Sequence, residues 1–413
     1  MDINQKLNIL RRRIENPDER VRIMIMGLGS VGLYLLDYLV SLADPKLEII
    51  VCGRNAEKIT SDVNIVRTAA AIRRQLRSRI IIAAGCDFDD VDSITREISR
   101  HKPDFVVNSS RAVAGLKYGS ISWHHLRAYG IWSPLSVKYA LNIALAMQRA
   151  DSTAISINTS YSDAVIPWIK AAGIPTYDFG SGNLNHLLPR MKFEIARLYD
   201  VENLEDIDIT LAASHFHDVV ISKEGHTEGQ ILPLRIRVKG EIVEPDLEAL
   251  LKACSIAMPS DQKRNMMNAS SNFDIINSIL RALREHRRIK IHTPGVEGEI
   301  GGYPYIIDGT GDKPTAYFDT TDFTMEEMRR ANRASIYLDG IEDVVSEEVK
   351  EGDESLEREG KARKEGYLIY TDELIAKVRK EFGAELPKRV ALSDANRVRH
   401  LLIEEVITPA LRK

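Results

Sequence analysis

Three glycines at a fixed spacing are the residues with the clearest chemistry in this sequence. Gly27, Gly29 and Gly32 follow a short apolar run and directly precede a segment with the apolar spacing of a helix. Gly27 permits a tight turn, Gly29 lets the backbone approach a pyrophosphate, and Gly32 lets the helix pack on the strand. The first N–H groups of that helix then face the phosphate charge. The pattern predicts a dinucleotide site that includes Ser30 and Val31.

The residues after the second predicted strand bear on the ribose of the dinucleotide. An apolar run over 47–51 predicts this strand, and Arg54 and Asn55 follow its end. An acidic residue here would bind a ribose 2′-hydroxyl group, whereas an arginine can hold a 2′-phosphate. Because the segment contains no acid, we expect NADP(H), with NAD(H) as the alternative if Arg54 only stacks on adenine.

Strands and helices alternate along the first part of the chain. Six apolar runs, separated by segments with helical spacing, lie over 21–26, 47–51, 79–83, 103–108, 154–158 and 174–179. This alternation predicts an α/β fold with a doubly wound parallel Rossmann sheet, whose ligands bind at the carboxyl ends of the strands. The polar residues that follow the fourth and fifth strands are therefore assigned to the dinucleotide site: Asn108, Ser109, Ser110, Thr159 and Ser160.

Length, composition and charge restrict the class of protein. The 413 residues are 44% hydrophobic and carry a net charge of −4, which is typical of a globular protein with more than one domain and gives no basic surface for nucleic acid. Three scattered cysteines form no metal motif, and no apolar run reaches the length of a membrane span. We expect a cytoplasmic protein that binds neither nucleic acid nor membranes.

The pattern of the chain suggests three parts. We expect a helical extension over 1–20, a dinucleotide-binding domain over 21–180, and an α+β domain over 181–413 that supplies the substrate site and the contacts of a homo-oligomer. Within the last part, residues 342–366 are dense in charge and lose apolar periodicity. Such composition predicts an exposed, mobile excursion.

The order of motifs from Gly27 to about Asp218 resembles the lactate/malate dehydrogenase superfamily. The resemblance rests on the fingerprint and on four later segments, at 105–110 with the helix after it, 157–163, 180–196 and 213–218. It implies a Rossmann domain followed by a substrate domain, a nicotinamide cofactor and a small carboxylate substrate. About half of the chain is covered, since no motif after residue 225 has a counterpart.

The resemblance also implies roles for individual residues. His215 stands at the place of the catalytic histidine, and imidazole can exchange a hydroxyl proton near neutral pH. Arg190 stands at the place of the arginine that binds the substrate carboxylate, and an arginine can do so through two parallel hydrogen bonds. Asp218 is a further catalytic candidate. The candidates of a substrate loop that closes over the ligand, within 111–134, are Arg111, Lys117 and Arg127.

The sequence also departs from the family pattern. Leu187 stands where an aspartate would orient the histidine, so we expect a lowered pKa for His215 unless Asp218 or another acid replaces that charge. His215 and His217 could instead ligate a metal with Asp218, since alternate residues of a strand point to one side. We expect no metal, because so short a cluster rarely forms a site alone.

These patterns favour an oxidoreductase that transfers a hydride between NADP(H) and a 2-hydroxy or 2-oxo acid. Two alternatives remain open. One is an opine- or amino-acid-type dehydrogenase that reduces an imine, and the other is a regulatory protein that binds the nucleotide without catalysis. The unfilled place of the aspartate keeps the last alternative open.

Overall fold

Six apolar runs form one parallel sheet in the first half of the protein. The computed structural model describes residues 1–113, 118–182, 184–259, 261–348 and 364–411, and of Ser120 only the backbone. The strands are β1 (Val21–Met26), β2 (Leu47–Gly53), β3 (Arg79–Ala84), β4 (Phe105–Asn108), β5 (Ile155–Asn158) and β6 (Phe179–Gly180). Their order, β3-β2-β1-β4-β5-β6, is that of a doubly wound dinucleotide-binding sheet. The predicted fold class is therefore confirmed.

Helices cover both faces of this sheet. They are α1 (Ile3–Glu15), α2 (Ser30–Ser41), α3 (Ala56–Ile72), α4 (Val91–His101), α5 (Gly119–Ile121), α6 (Ser133–Arg149) and α7 (Ser162–Ala171). Helix α3 begins at Ala56, because the Asn55 side chain accepts a hydrogen bond from the Lys58 N–H and caps the helix.

The second half contains two small antiparallel sheets and the helices around them. One sheet has the order β7-β8-β9 and the other β10-β11-β12. The strands are β7 (Ile207–Leu211), β8 (Leu234–Val238), β9 (Glu241–Val243), β10 (Arg288–Pro294), β11 (Gly302–Asp308) and β12 (Thr315–Phe318). The helices are α8 (Leu184–Tyr199), α9 (His215–Glu224), α10 (Leu247–Ala253), α11 (Asn265–Glu285) and α12 (Met325–Leu338).

The C-terminal segment forms a third antiparallel sheet with helices. Its elements are β13 (Ile341–Glu348), β14 (Lys364–Tyr370), α13 (Asp372–Phe382), β15 (Arg389–Ala391), α14 (Ala395–Leu401) and α15 (Thr408–Ala410). The predicted excursion over 342–366 is wrong at both ends, because β13 and β14 pair from Ile341 to Glu348. Residues 349–363 lie outside the described residues. Strand β13 runs from the buried Ile341 to the exposed Glu347 and Glu348, and its acidic residues hide its apolar pattern in the sequence.

This C-terminal sheet packs on the half of the protein that contains the parallel sheet. Leu368 and Tyr370 of β14 share one hydrophobic core with Trp168 of α7. The Trp168 indole donates a hydrogen bond to the Gly366 carbonyl at 3.1 Å, and the Tyr370 hydroxyl donates to the Ile131 carbonyl at 3.2 Å. The segment thus supports helix α7, whose first turn carries site residues. None of the helices in the described ranges is long and apolar enough to span a membrane.

We expect the core contact of β14 to contribute strongly to stability. Leu368 is fully buried, so Leu368→Ala should lower the free energy of unfolding by about 2–5 kcal/mol. Ile369→Ala is the matched control, because Ile369 lies on the other face of the strand and is only partly buried. Urea unfolding followed by circular dichroism measures both, and equal losses would contradict the packing described here.

Candidate active site

The glycine turn between β1 and α2 has the geometry that a pyrophosphate requires. Gly27 adopts a left-handed φ of +98°, and a Cβ at Gly32 would lie 2.2 Å from the Gly27 carbonyl oxygen. Gly29 has open space where a side chain would stand, and no side chain caps the first N–H groups of α2. The turn therefore leaves backbone donors facing an open surface, so these residues fit a bound dinucleotide.

The other fingerprint residues lie beside this turn. Val31 is buried in the core beneath the helix, and the Ser30 hydroxyl accepts a hydrogen bond from Asn265 Nδ2 at 2.6 Å. Asn265 is the first residue of α11, so the second half of the protein reaches the start of α2. No sequence motif indicates this contact, because its partners lie 235 positions apart in the chain.

Arg54 lies beyond the end of β2, and two carboxylates lie close to its guanidinium group. Its Nη1 atom lies 3.7 Å from Asp87 Oδ1 and 3.6 Å from Asp89 Oδ2. The expectation that no carboxylate stands at this place is therefore wrong, because the loop after β3 supplies two. Asn55 uses its side-chain oxygen to cap α3.

Polar side chains at the ends of β4 and β5 bond mainly to each other. Asn108 Nδ2 donates to Asn158 Oδ1 at 2.9 Å, and Asn108 Oδ1 accepts from the Ser110 hydroxyl at 2.6 Å. The Ser109 hydroxyl donates to the Gly27 carbonyl at 2.7 Å. These bonds hold the loop after β4 against the glycine turn. Asn108, Ser109 and Ser110 thus shape the predicted cofactor surface.

Thr159 and Ser160 are placed differently. Asn272 Nδ2 of α11 donates to the Thr159 hydroxyl at 3.0 Å, and Ser160 is buried with its carbonyl accepting from Asn158 Nδ2 at 3.0 Å. Both residues lie at the carboxyl edge of the sheet, as predicted, and both make contacts within the protein.

His215 has a buried carboxylate partner. Its Nδ1 atom donates to Asp339 Oδ2 at 2.9 Å, and the Asp339 side chain is fully buried. Burial lowers the pKa of His215, but the charge and hydrogen bond of Asp339, helped by Asp163 and Asp218, outweigh it and raise the pKa above 6.5. The lowered pKa expected without a carboxylate partner does not occur, because Asp339, at the C-terminal end of α12, replaces the aspartate of the family pattern.

The Asp339 carboxylate accepts hydrogen bonds from three groups, of which the His215 ring is one. Its Oδ1 atom accepts from the Tyr129 N–H at 2.7 Å, and its Oδ2 atom accepts from the Tyr161 hydroxyl at 2.6 Å. The rings of Tyr129 and Tyr161 lie edge-on to the His215 ring, with centroids 4.8 and 5.2 Å from it. Tyr161 takes a left-handed φ of +46°, which costs about 1–3 kcal/mol and is typical of functional sites.

Two further acids lie near the histidine. Asp163 Oδ1 accepts a hydrogen bond from the His215 N–H at 3.0 Å. Burial raises the pKa of Asp163 to about 6 against the lowering effect of the His215 charge. Burial likewise raises the pKa of Asp218 to about 6, while the charges of His215 and Arg190 lower it. Asp218 therefore lies close to the predicted catalytic histidine, one turn further along α9.

Arg190 is buried on α8, behind the site. Its Nη1 atom donates to the Cys254 carbonyl at 3.2 Å and lies 3.5 Å from the Ser222 carbonyl. Its Nη2 atom lies 3.3 Å from the Met258 sulfur. The charge of Arg190 acts on Asp218, but both terminal nitrogens are engaged by the protein.

The predicted substrate loop is only partly at the site. Arg111 is exposed, and Lys117 lies outside the described residues. Arg127 pairs with Glu224 at 2.7 Å and with Glu228, both partly exposed at the surface. Trp132 is buried and donates to the Ser122 hydroxyl at 2.7 Å, so the segment is part of the core at that residue. The substrate loop stays a prediction.

The histidines of α9 do not have the strand geometry of the metal alternative. His215 and His217 lie in the first turn of a helix, and His217 Nε2 donates to the Thr227 carbonyl at 3.0 Å. Within the described ranges, the one three-residue group close enough to share a metal is Glu224, His226 and Glu228, which is exposed. Glu224 and Glu228 already pair with Arg127.

The doubly wound parallel sheet of the first half, followed by smaller antiparallel sheets and their helices, is a fold shared with a solved malate dehydrogenase. The malate dehydrogenase from Aeropyrum pernix shares this fold with a TM-score of 0.51 at 16% identity, over 77% of this chain and 97% of its own. The resemblance seen in the sequence is thereby confirmed at the level of the fold. No family model and no curated protein matches the sequence significantly.

Two further solved structures, both dehydrogenases, are similar to this chain with lower TM-scores. The malate dehydrogenase from Plasmodium falciparum in complex with NADH has a TM-score of 0.45 at 14% identity, over 76% of this chain and 95% of its own. The lactate dehydrogenase from Cryptosporidium parvum, complexed with lactic acid and NAD, has a TM-score of 0.48 at 15% identity, over 78% of this chain and 96% of its own.

Removal of the Asp339 charge should lower the pKa of His215. We expect the wild-type pKa above 6.5 and a clear decrease in Asp339→Asn, measured by NMR titration of the His215 ring. Because the pKa is raised on folding, the pair stabilises the folded state fully below pH 6.5, and this contribution is lost as the pH rises through the raised pKa. Tyr161→Phe keeps the charge and is the matched control. An unchanged pKa in Asp339→Asn would contradict the pairing.

Proposed function

We propose that the protein is a nicotinamide-dependent oxidoreductase that acts on a small carboxylate-bearing substrate of the 2-hydroxy acid and 2-oxo acid type. The observation that carries the proposal is the His215–Asp339 pair at the same sheet edge as the glycine fingerprint. The fold shared with a malate dehydrogenase supports this reaction class. A cytoplasmic homo-oligomer stays a prediction of the sequence.

The fingerprint would hold the dinucleotide. The open surface at Gly29 and the uncapped N–H groups of α2 would bind its pyrophosphate, and Ser109 and Ser110 would form the adjoining wall. When bound, the nicotinamide ring accepts a hydride from an alcohol carbon or gives one to a carbonyl carbon.

His215 would exchange the proton. Since Asp339 holds Nδ1, the other ring nitrogen, Nε2, is the one left for the substrate. In oxidation the neutral ring takes the hydroxyl proton at Nε2, and in reduction the imidazolium returns it to the carbonyl oxygen. Asp339 stabilises the imidazolium, and Tyr161 and Tyr129 fix the carboxylate that does so.

The pairing of Asp339 with His215 also concerns the two alternative functions, a regulatory protein without catalysis and an enzyme that reduces an imine. The sequence left a regulatory protein without catalysis open because the aspartate of the family pattern was missing. The buried pair of His215 and Asp339 supports catalysis instead. Reduction of an imine would use the same proton donor, so the substrate panel should include oxo acids both with and without added amines. Absorbance of the reduced cofactor at each combination distinguishes the two reactions.

Loss of the His215 imidazole should abolish most of the turnover while leaving the cofactor bound. We expect His215→Asn to reduce kcat by roughly 10²–10⁴-fold, the scale of general acid–base catalysis, with the cofactor dissociation constant unchanged. His226→Asn is the matched control, because His226 is exposed and bonds to its near neighbours in the chain, the Glu224 carboxylate and the Glu228 N–H. Turnover near the wild-type value in His215→Asn would make His215 a packing residue and overturn the proposal.

Cofactor preference should depend on the charges around Arg54. We propose NADP(H) as the preferred form, and we expect Arg54→Asp to reverse the preference, since it removes the cation and adds a charge that repels a 2′-phosphate. Asp87→Asn with Asp89→Asn should change it in the opposite direction. Fluorescence titration with both reduced cofactors measures the ratio. Tighter binding of NADH by the wild type would contradict the proposed preference.

A further inference from the structure

Helix α11 of the second half runs alongside the fingerprint helix α2, start to start. The contacts between them are, in chain order, Asn265 with Ser30 at 2.6 Å, the Phe273 ring with the Tyr38 ring at 6.1 Å between centroids, and Arg284 with Asp44, just after α2, at 2.7 Å. Because these contacts follow the same order in both helices, the helices are parallel. Their N-terminal ends, which both favour a negative charge, therefore lie side by side at the glycine turn.

The hydrogen bond between these two N-terminal ends has a defined direction. Asn265 Nδ2 donates to Ser30 Oγ at 2.6 Å, and Asn265 Oδ1 accepts from Asn268 Nδ2 at 3.3 Å. A serine hydroxyl has one proton that it can donate and two lone pairs that accept. Since the bond to Asn265 uses a lone pair, the proton of Ser30 is left for another acceptor.

In the described part of the chain, the Ser30 hydroxyl forms only the one hydrogen bond just described. A serine inside a helix can donate to the carbonyl four residues earlier, as Ser41 does to the Asp37 carbonyl at 2.7 Å near the end of α2. Ser30 is the first residue of α2, and the carbonyl four residues before it, at Met26, already accepts from the Ser109 N–H at 3.1 Å. The usual acceptor of a helical serine is therefore occupied.

The space beside Ser30 is open to a ligand. Gly29 is exposed, nothing lies within 4 Å of where a side chain would begin there, and Ser30 is itself only partly buried. An anionic oxygen at the turn would meet the first N–H groups of α2 and the Ser30 hydroxyl together. Hydrogen bonds to a charged group are about twice as strong as those between neutral groups, so a phosphate oxygen is a better acceptor than a carbonyl.

We infer that Asn265 is a positioning residue of the dinucleotide site. It holds the Ser30 hydroxyl as an acceptor, so that Ser30 donates its proton to an oxygen of the pyrophosphate. The inference rests on the proposed function for the dinucleotide, but not for hydride transfer. The second half of the chain, which supplies His215, then also sets the affinity of the fingerprint for its ligand.

ADP-ribose tests this assignment without turnover, because it carries the pyrophosphate but no nicotinamide ring. Isothermal titration of the full-length protein compares the wild type with Ser30→Ala, Asn265→Ala and the double variant. We expect Ser30→Ala to weaken binding by about 10- to 100-fold, the scale of a hydrogen bond to a charged group. Asn265→Ala should weaken it by about 3- to 10-fold, because the Ser30 proton is then no longer directed to the ligand.

The double variant separates positioning from packing. Asn265→Ala should have no further effect in a protein that already lacks the Ser30 hydroxyl, whereas a loss of packing would weaken binding in both backgrounds. Asn265→Asp tests the direction of the bond, since its carboxylate would accept the Ser30 proton and should weaken binding more than Asn265→Ala does. Asn277→Ala and Asn277→Asp make the same two changes about three turns further along α11 and should bind ADP-ribose as the wild type does.

Unchanged affinity in Asn265→Ala would overturn the inference, and so would an equal effect of Asn265→Ala with and without the Ser30 hydroxyl. Asn265→Asp binding no more weakly than Asn265→Ala, or a wild type that does not bind ADP-ribose at millimolar concentration, would overturn it as well. The proposed function fails separately. If the variants behave as expected but the wild type transfers no hydride to any oxo acid or imine, the phosphate site stands without the reaction.

Discussion

A single buried carboxylate holds the candidate site together. Asp339 is fully removed from solvent and accepts hydrogen bonds from a histidine, a tyrosine hydroxyl and a backbone N–H. Burying an ionised carboxylate without partners would cost several kcal/mol. The buried position of Asp339 therefore requires these hydrogen-bond donors. The left-handed Tyr161 is part of this constraint, because its conformation brings the hydroxyl group to Asp339. Packing of the C-terminal sheet on α7 in turn supports the turn that carries Tyr161.

What could be predicted from the sequence was local. The fingerprint of Gly27, Gly29 and Gly32 and the six strands depend on residues close together in the chain, and periodicity records them. His215 could be predicted as a candidate catalytic residue only from the order of the motifs along the chain. Its partner Asp339 could not, because it lies 124 positions further along the chain, in a part without any motif that has a counterpart in the family, and an Asp-Gly pair alone predicts only a turn.

Charged residues show a second limit of prediction from the sequence. Arg54 reads as an isolated cation after β2, yet Asp87 and Asp89 stand beside it because β2 and β3 are neighbours in the sheet. Arg190 reads as a free ligand for a carboxylate, yet its terminal nitrogens bind the segment before α11. A sequence shows which charges are present, but it does not show which of them are already paired. Pairing decides whether a charge is available to a ligand.

The wide spacing of the partners around Asp339 has a consequence for how the protein folds. The contacts to His215, Tyr161 and Tyr129 close loops of 124, 178 and 210 residues. Pairings over such distances form late, since the entropy of closing the chain must be overcome before the contact is gained. During refolding the parallel sheet and its helices should therefore recover before the histidine acquires its carboxylate. A nascent chain therefore cannot form the pair of His215 and Asp339 until synthesis has passed residue 339, however well its first half has folded.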